Sequence, residues 1–499
     1  MREYYLDNFL LGLKPFSFWH HFGVNGKIAG SLAAIHEMES AVPVLYGPRG
    51  CGFHYRYSAR SRNTPYYELE CADIQDRDVV FGAEERLCAL LRQIDAEQRP
   101  ELIFVLPTVL SDIINDDLAG IVEAVHPELR SKVVAVRSQA FSHMDKSNTR
   151  KRLQERAACT AKRAGCSAVY PGCGYVEVMD AVVEQLMEPQ TVEPRTVNLE
   201  SFIWGFGGEV KLRRMLALLE KIGVQVNTLL PACSLEQMRQ APRAQLNIVR
   251  RRKWALAMQQ RFGTDFLHIA DMQEWHGLQG IKDYYLAIAA KLGLQERAEA
   301  VLAAELAAVQ PQLDACRELF AKHRFALISG SLAALPEQIM IYEQDFGLPL
   351  GSVCLILNPS FQKEAGVDSA TLAKMHERIE AAMAEAGCKA KLYINPAGAE
   401  LRQAVQECDF VLAGSNPRYN NLGRLVLPTL LQYSAFDFVS FAEIMQAMAR
   451  RLTAGQGLHD GLLLSRLEYD AIFYPMTADD KNTRASREMY TKFWRTRRR

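Results

Sequence analysis

The sequence predicts an α/β protein made of mostly parallel sheets in several successive units. Short apolar runs alternate along the chain with stretches of helical periodicity, which is the pattern of strand–helix–strand units. Some of the runs are continuously apolar, as expected for parallel strands buried on both faces. The chain has 499 residues, more than one hydrophobic core accommodates. We therefore expect three α/β units of similar build.

The first unit is predicted over residues 1–190. Its strands are the apolar runs Val42–Tyr46, Leu102–Leu106 and Lys132–Val136, and its helices are predicted at Ala83–Ala96 and Ile113–Val125. The second unit is predicted over residues 191–320. It contains a strand at Ser201–Trp204, the glycine turn Gly205–Gly208, a helix at Glu209–Ile222, the segments Val224–Leu230 and Ala244–Phe262, and a long helical stretch at Gln279–His323.

The third unit is predicted over residues 321–455, and residues 456–499 form an extension that contacts a partner. The unit alternates strands and helices in the order Arg324–Ser329, Leu332–Phe346, Ser352–Asn358, Thr371–Ala386, Lys391–Ile394 and Phe410–Ala413. Ligands of open parallel sheets bind beyond the carboxyl ends of the strands. The glycine turn at residues 47–52 follows such a strand end.

Composition excludes several functional classes. The formal net charge is zero and the pI is about 7.1, so no broad electrostatic case exists for nucleic acid or for an anionic membrane. No apolar window approaches the roughly 18 residues of a membrane span, and no signal peptide is visible. The eleven cysteines have no regular spacing, which favours a reducing cytoplasm over a disulfide framework.

Cys51 and Cys71 are the candidate metal ligands. Cys51 lies in a glycine-rich turn after a strand, and Cys71 closes the run Tyr66–Cys71. Such a turn exposes a thiolate near backbone N–H groups, which suits a ligand to iron–sulfur or zinc. Asp73, Asp76 and Asp78 follow, and capping of the next helix is the favoured interpretation over fixing of the ligand loop. No Gly-x-Ser-x-Gly, His-Glu-x-x-His or Walker motif competes.

An ordered set of segments resembles the component 1 proteins of nitrogenase and nitrogenase-like reductases. Their order, over roughly residues 20–450, is more specific than any one motif. The segments are Gly47–Cys51, Asp78–Gly82, Ile113–Leu118, Phe202–Gly207, Ala244–Val249 and Tyr285–Gly293.

The resemblance implies three Rossmann-like domains and an α2β2-type heterotetramer of two related subunits. It also implies an iron–sulfur cluster bridging the pair, of the 8Fe-7S P-cluster type or a 4Fe-4S cluster, and electron delivery by a separate ATP-dependent iron protein. Cys51 and Cys71 match the first two cluster ligands of the beta-type subunit, whereas Val109 stands where a third cysteine is expected. Two thiolates cannot complete a cubane, so either a partner subunit supplies the rest or the cluster uses other ligands.

Two departures imply that the active-site metallocluster belongs to the partner subunit. Arg251 stands where the cofactor-bearing chain has a cysteine, and Gln432–Phe441 lacks the matching histidine. The basic segment Arg250–Lys253 either faces an anionic cofactor or is a solvated helix face. Cys173, in another glycine turn, is either an extra ligand or structural.

Three functions follow from these observations. The first is the non-cofactor subunit of a nitrogenase-like reductase, with reductive C–S bond cleavage of methylthio-alkanes as a candidate reaction. The second is a cofactor-assembly scaffold, which passes its cluster to an acceptor. The third is a component of a dark-operative tetrapyrrole reductase. A metal-free binding protein of the same fold is the fourth alternative.

Overall fold

The computed structural model describes most of the chain. The described residues are 27–52, 69–114, 116–136, 174–200, 208–249, 251–272, 277–330, 332, 334–357, 369–413, 419, 422–428 and 435–453. Statements about structure below concern these residues. Within them, no helix is both long and apolar enough to cross a bilayer.

The first sheet has four parallel strands in the order β2–β1–β3–β4. The strands are β1 (Ala41–Tyr46), β2 (Glu70–Cys71), β3 (Leu102–Pro107) and β4 (Lys132–Ala135). The helices are α1 (Lys27–Glu37), α2 (Asp76–Phe81), α3 (Glu84–Glu97), α4 (Val109–Ile114), α5 (Leu118–Val125) and α6 (Gly174–Gln185). Alternate residues of β3 face different apolar clusters, one with α1 and α6 and the other with α3 and α5. Helices therefore cover both faces, and all of β3 is buried.

The second sheet is also parallel, in the order β6–β5–β7–β8. Its strands are β5 (Glu193–Glu200), β6 (Gln225–Leu230), β7 (Ala244–Val249) and β8 (Asp265–His268). The helices are α7 (Gly208–Ile222), α8 (Leu235–Arg239), α9 (Arg252–Phe262), α10 (Ile269–Met272) and α11 (Leu278–Leu292). A buried amide ladder joins three strands, because Asn198 donates to Asn247 at 2.8 Å and accepts from Asn227 at 2.8 Å.

The third sheet has five parallel strands in the order β11–β10–β9–β12–β13. The strands are β9 (Phe325–Ser329), β10 (Leu350–Leu355), β11 (Lys391–Ile394), β12 (Phe410–Ala413) and β13 (Leu425–Pro428). The helices are α12 (Gln295–Phe320), α13 (Leu335–Met340), α14 (Ser369–Ala386), α15 (Gly398–Gln406) and α16 (Phe438–Thr453). A π-helical segment, Ile341–Asp345, continues α13.

The predicted α/β class with mostly parallel sheets is confirmed. Each predicted unit contains one sheet, while the boundaries at residues 190, 320 and 455 stay predictions, and the extension 456–499 lies outside the described residues. Several predicted elements divide. The stretch Gln279–His323 is two helices because Gly293 adopts a left-handed backbone (φ 69°) that ends α11. The segment Ala244–Phe262 is a strand followed by a helix.

One further predicted element differs from the structure, and another lies outside the described residues. The predicted strand Ser201–Trp204 lies outside the described residues. The first strand of the second sheet along the chain is β5, which ends at Glu200, directly before that segment. The predicted helix Ile113–Val125 is two helices, because the carboxylate of Asp117 accepts the N–H of Gly120 at 3.1 Å and caps a new helix.

Candidate functional site

The two candidate cysteines lie at one edge of the first sheet. Strand β1 pairs in parallel with both β2 and β3, so the carboxyl ends of all three strands meet there. The turn after β1 leads into residues 49–52, which are helical, and the N–H of Cys51 donates to the carbonyl of Pro48 at 3.0 Å. Cys71 is the last residue of β2 and lies in register with Leu45.

The turn after β1 brings Cys51 and Cys71 together. A Cβ atom on Gly52 would lie 3.4 Å from Cβ and 3.8 Å from Sγ of Cys71, so the backbone next to Cys51 packs against the second cysteine. Burial raises the pKa of the Cys51 thiol, and the neighbouring Cys71 raises it further. Both side chains are half-buried. The structure therefore places the two cysteines next to each other at this edge, while their role as metal ligands stays a prediction.

Two backbone carbonyl groups lie close to the Cys71 thiol. Its Sγ lies 3.2 Å from the carbonyl oxygen of Gly47 and 3.3 Å from that of Pro48, so the thiol donates to two acceptors. Carbonyl oxygens favour the protonated sulfur. Metal ligation at Cys71 therefore requires loss of a proton and of these two contacts.

The described residues contain no third metal ligand at this edge. No group of three His, Cys, Asp or Glu side chains among them is arranged to hold a metal ion. Val109, where the third thiol was expected, begins α4 directly after Thr108, whose hydroxyl donates to the carbonyl of Tyr46 at 3.0 Å. The segment with the missing ligand thus adjoins the turn that follows β1. Cys173 lies outside the described residues.

Acidic residues around the two cysteines have separate roles. Asp78 accepts the N–H of Gln75 at 2.8 Å and caps α2, as the favoured interpretation predicted. Asp73 instead holds the turn, through an ion pair with Arg49 at 3.0 Å. Asp116 accepts the Tyr46 hydroxyl at 2.5 Å, and burial together with this carboxylate raises the pKa of Tyr46. The contact between Tyr46 and Asp116 was not predicted, because 70 residues separate them.

Helix α2 exposes an apolar surface close to Cys71. Side-chain exposure is 38% for Val79, 74% for Val80 and 80% for Phe81, and no residue of the helix is buried. Clustered exposed apolar side chains usually mark a contact surface. Sequence reasoning used this segment only as a family motif and missed its exposure.

The basic segment after β7 is divided: Arg252 and Lys253 are exposed at the start of α9, as a solvated helix face requires, whereas Arg251 is not. Arg251 is ion-paired with the buried carboxylate of Glu200, so it is neither a solvated side chain nor directed at a cofactor. Lys253 pairs with Asp180 at 2.8 Å, and Arg252 is exposed. Arg250 lies outside the described residues.

A cleft of about 720 Å³ lies elsewhere, along the edge strand β6. Its lining includes Arg213 and Glu220 of α7 and Asn227 of β6. Neither Cys51 nor Cys71 lines it, so the chemistry predicted from sequence lies outside this cleft.

Comparison with known families gives one match that covers most of the chain. The model of the nitrogenase component 1 type oxidoreductases matches residues 27–162 and 172–450. Among solved structures, a chain titled nitrogenase Cp1 at pH 6.5 superposes with a TM-score of 0.55 at 17% identity, covering 87% of this chain and 89% of that one. This likeness to a solved structure concerns the fold alone.

Two curated relatives have different functions. The nitrogenase iron-molybdenum cofactor biosynthesis protein NifE of Clostridium pasteurianum is 25% identical over 312 residues, which are 60% of this chain and 61% of that protein. A subunit of the light-independent protochlorophyllide reductase of Heliobacterium modesticaldum is 25% identical over 319 residues, which are 62% of this chain and 54% of that protein. The chain thus spans less than two thirds of these relatives.

Proposed function

The chain belongs to the nitrogenase component 1 type oxidoreductases, and on that premise we propose that it is the non-cofactor subunit of a nitrogenase-like reductase. In this role it holds part of an iron–sulfur cluster at a subunit interface and relays electrons through it. The observation that carries the proposal is the juxtaposition of Cys51 and Cys71 at the carboxyl ends of β1 and β2.

The donor set fits half of a cluster site. Iron–sulfur clusters are held by cysteine thiolates, and a cubane needs four ligands. The described residues of this chain bring two thiols to the sheet edge and no third metal-binding side chain. A homologous sister subunit would supply the remaining ligands, giving an α2β2-type heterotetramer with a shared 8Fe-7S or 4Fe-4S cluster. When bound, such a cluster supplies one-electron transfer.

The exposed face of α2 supports a docking site for an ATP-dependent iron protein. Helix α2 begins at Asp76, five positions after Cys71, and its exposed apolar side chains are large. Exposed apolar side chains gain stability when a partner covers them. A partner bound there delivers electrons beside the two cysteines.

The active-site metallocluster is assigned to the sister subunit. In this chain Arg251 and Glu200 neutralise each other at the end of the second sheet, and neither is a thiol or imidazole ligand. Reductive C–S bond cleavage of methylthio-alkanes is the reaction to test first, because the metal-ligand positions of this chain differ from those of nitrogenase while Cys51 and Cys71 are kept.

A cofactor-assembly scaffold is the second candidate, and the relationship to NifE favours it. A scaffold would hold the same kind of cluster but release it to an acceptor protein. The two functions differ in turnover. The relay subunit takes part in repeated substrate reduction with its iron protein and ATP, whereas a scaffold transfers its cluster once.

The first experiment is anaerobic purification of the native complex, with iron quantification and electron paramagnetic resonance. We expect Cys51→Ala and Cys71→Ala each to lose the cluster signal and most of the iron. Cys88→Ala is the matched control, because Cys88 is also a half-buried free thiol but lies on α3. Full iron content in both variants would contradict the cluster site. A cluster that leaves for an acceptor protein, without substrate turnover, would support the scaffold.

The second experiment tests the docking surface. Phe81→Ser is expected to weaken binding of the iron protein at least tenfold while leaving the unfolding temperature unchanged, because the side chain is exposed. Val192→Ser, at a half-exposed valine before β5, is the control. Equal binding by the Phe81 variant and the wild type would exclude α2 as the docking surface.

A further inference from the structure

A buried carboxylate lies at the carboxyl end of β5, which is one of the two central strands of the second sheet. Glu200 is the last residue of β5 and its side chain has no solvent exposure. It accepts the backbone N–H of Arg251 at 3.0 Å and the indole N–H of Trp254 at 3.4 Å, and it is ion-paired with the Arg251 guanidinium. Removing a carboxylate from water is costly unless donors and a counter-charge replace the water. Arg251 provides both a backbone donor and that charge.

The Arg251 guanidinium also contacts α6, a helix that packs against the first sheet. The guanidinium carbon lies 3.6 Å from the ring centre of Tyr175 in α6. The Tyr175 hydroxyl donates to Glu37, the last residue of α1, at 3.0 Å. Tyr175 and Trp254 are both buried, and they belong to the same apolar cluster as residues of α1 and β3. A continuous set of contacts therefore runs from β5 through Arg251 to α6 and α1.

We propose that Glu200 and Arg251 form an internal latch, which closes the carboxyl ends of β5 and β7 and fastens α6 and α1 to the second sheet. Ligands of parallel α/β sheets bind at such strand ends. Here the chain's own arginine pairs with the carboxylate, so the Glu200 charge needs no external cation to balance it. Arg251 is a positioning residue in this role. The proposal does not depend on the cluster at Cys51 and Cys71.

The same two strands provide a control at their opposite ends. Glu193 begins β5, Arg243 directly precedes β7, and the two form an ion pair. Both side chains are 44% exposed, whereas Glu200 is fully buried and Arg251 is 20% exposed. Exposed ion pairs contribute little to stability, but breaking a buried pair strands a charge. The two pairs therefore differ mainly in burial.

The test is a double-mutant cycle on the purified complex. We expect Glu200→Gln and Arg251→Gln each to lower the midpoint of thermal unfolding by about 5–10 °C, because each leaves an uncompensated charge. The double variant should recover at least half of either loss. The cycle with Glu193→Gln and Arg243→Gln should show no coupling. Additive losses at Glu200 and Arg251 would overturn the latch.

A gentler variant keeps the test decisive if the charge variants do not fold. Tyr175→Leu keeps an apolar side chain in α6 but removes both the ring that packs against Arg251 and the hydroxyl that bonds Glu37. Hydrogen–deuterium exchange in α6 should accelerate at least threefold in this variant and stay unchanged after Arg243→Gln. Unchanged exchange in α6 would refute the fastening role. The iron content of all these variants should match that of the wild type. If the wild type binds an anion or metal that Arg251→Gln loses, the ends of β5 and β7 form an open ligand site and not a latch.

Discussion

Asp345 supplies a helix cap from a distant part of the chain. Its carboxylate accepts the N–H of Leu278, the first residue of α11, at 3.1 Å, although 67 residues separate them. Burial raises the pKa of this carboxyl from 3.8 to about 6, against the opposing effects of the Leu278 hydrogen bond and of Arg317 and Lys282. We predict that Asp345→Asn stabilises the protein near neutral pH, because an amide oxygen accepts the same hydrogen bond without a charge.

The sign follows from the two protonation equilibria. The folded state binds the Asp345 proton more tightly than the unfolded chain, since the pKa is about 6 in one and about 3.8 in the other. Between these pH values the free energy of unfolding falls as pH rises, and above them the full penalty of the buried charge is present. At about 1.4 kcal/mol for each tenfold change in proton affinity, the penalty is about 3 kcal/mol.

The assay is chemical unfolding of the wild type and Asp345→Asn from about pH 4 to pH 8. The variant should gain up to about 3 kcal/mol near pH 7.5 and almost nothing near pH 4. Asp314→Asn is the matched control, because Asp314 pairs with the same Arg317 at 3.0 Å but is 54% exposed. A stability difference that does not change with pH, or that Asp314→Asn reproduces, would refute the reasoning.

Three further predictions concern packing and hydrogen bonding. Gly47→Ala forces a methyl group against the Thr108 side chain, so chemical unfolding should show a free energy of unfolding lower by about 1–3 kcal/mol. Adding Thr108→Ala should restore part of this loss, and a midpoint equal to that of the wild type would contradict the close approach. Asn198→Ala removes the central amide of the ladder, and we expect a loss of about 2–4 kcal/mol in the same assay, where less than about 1 kcal/mol would argue against it. Asp117→Ala should lower the free energy of unfolding by about 1 kcal/mol in thermal unfolding, because α5 loses its cap. Asp76→Ala, in the exposed first turn of α2, is the control, and an equal effect of that variant would disprove the capping role of Asp117.

The sequence predicted several inner strands well because they are continuously apolar, but it missed β5, which carries polar residues along its length. The runs at Leu102–Leu106 and Phe410–Ala413 have no other stable environment than the middle of a parallel sheet. Two edge strands, β2 and β8, were missed for the converse reason, whereas the edge strands β4, β6 and β11 were predicted. Strand β8 is only half-buried, and β2 has two residues, so neither carries an apolar pattern.

The position of the candidate site was predictable, but its chemistry was only partly so. The family resemblance implied that Cys51 and Cys71 are ligands of one cluster, and the structure places both at the carboxyl ends of neighbouring parallel strands. The direction of the Gly47 and Pro48 carbonyls depends on the path of the turn, which no residue pattern reports. The partner of Arg251 was likewise hidden, since it required knowing that β5 and β7 are neighbours.

The shortness of β2 has a consequence for the order in which the site forms. Only Glu70 and Cys71 pair with β1, and two further backbone bonds, from Ala72 to Leu45 and from Ile74 to Gly47, extend the attachment. An outer strand held by so few bonds opens by local fluctuation at a small fraction of the global unfolding free energy. We expect amide protons of residues 70–74 to exchange early while β3 stays protected. Such breathing would separate the two sulfurs and admit a metal donor to an already folded subunit.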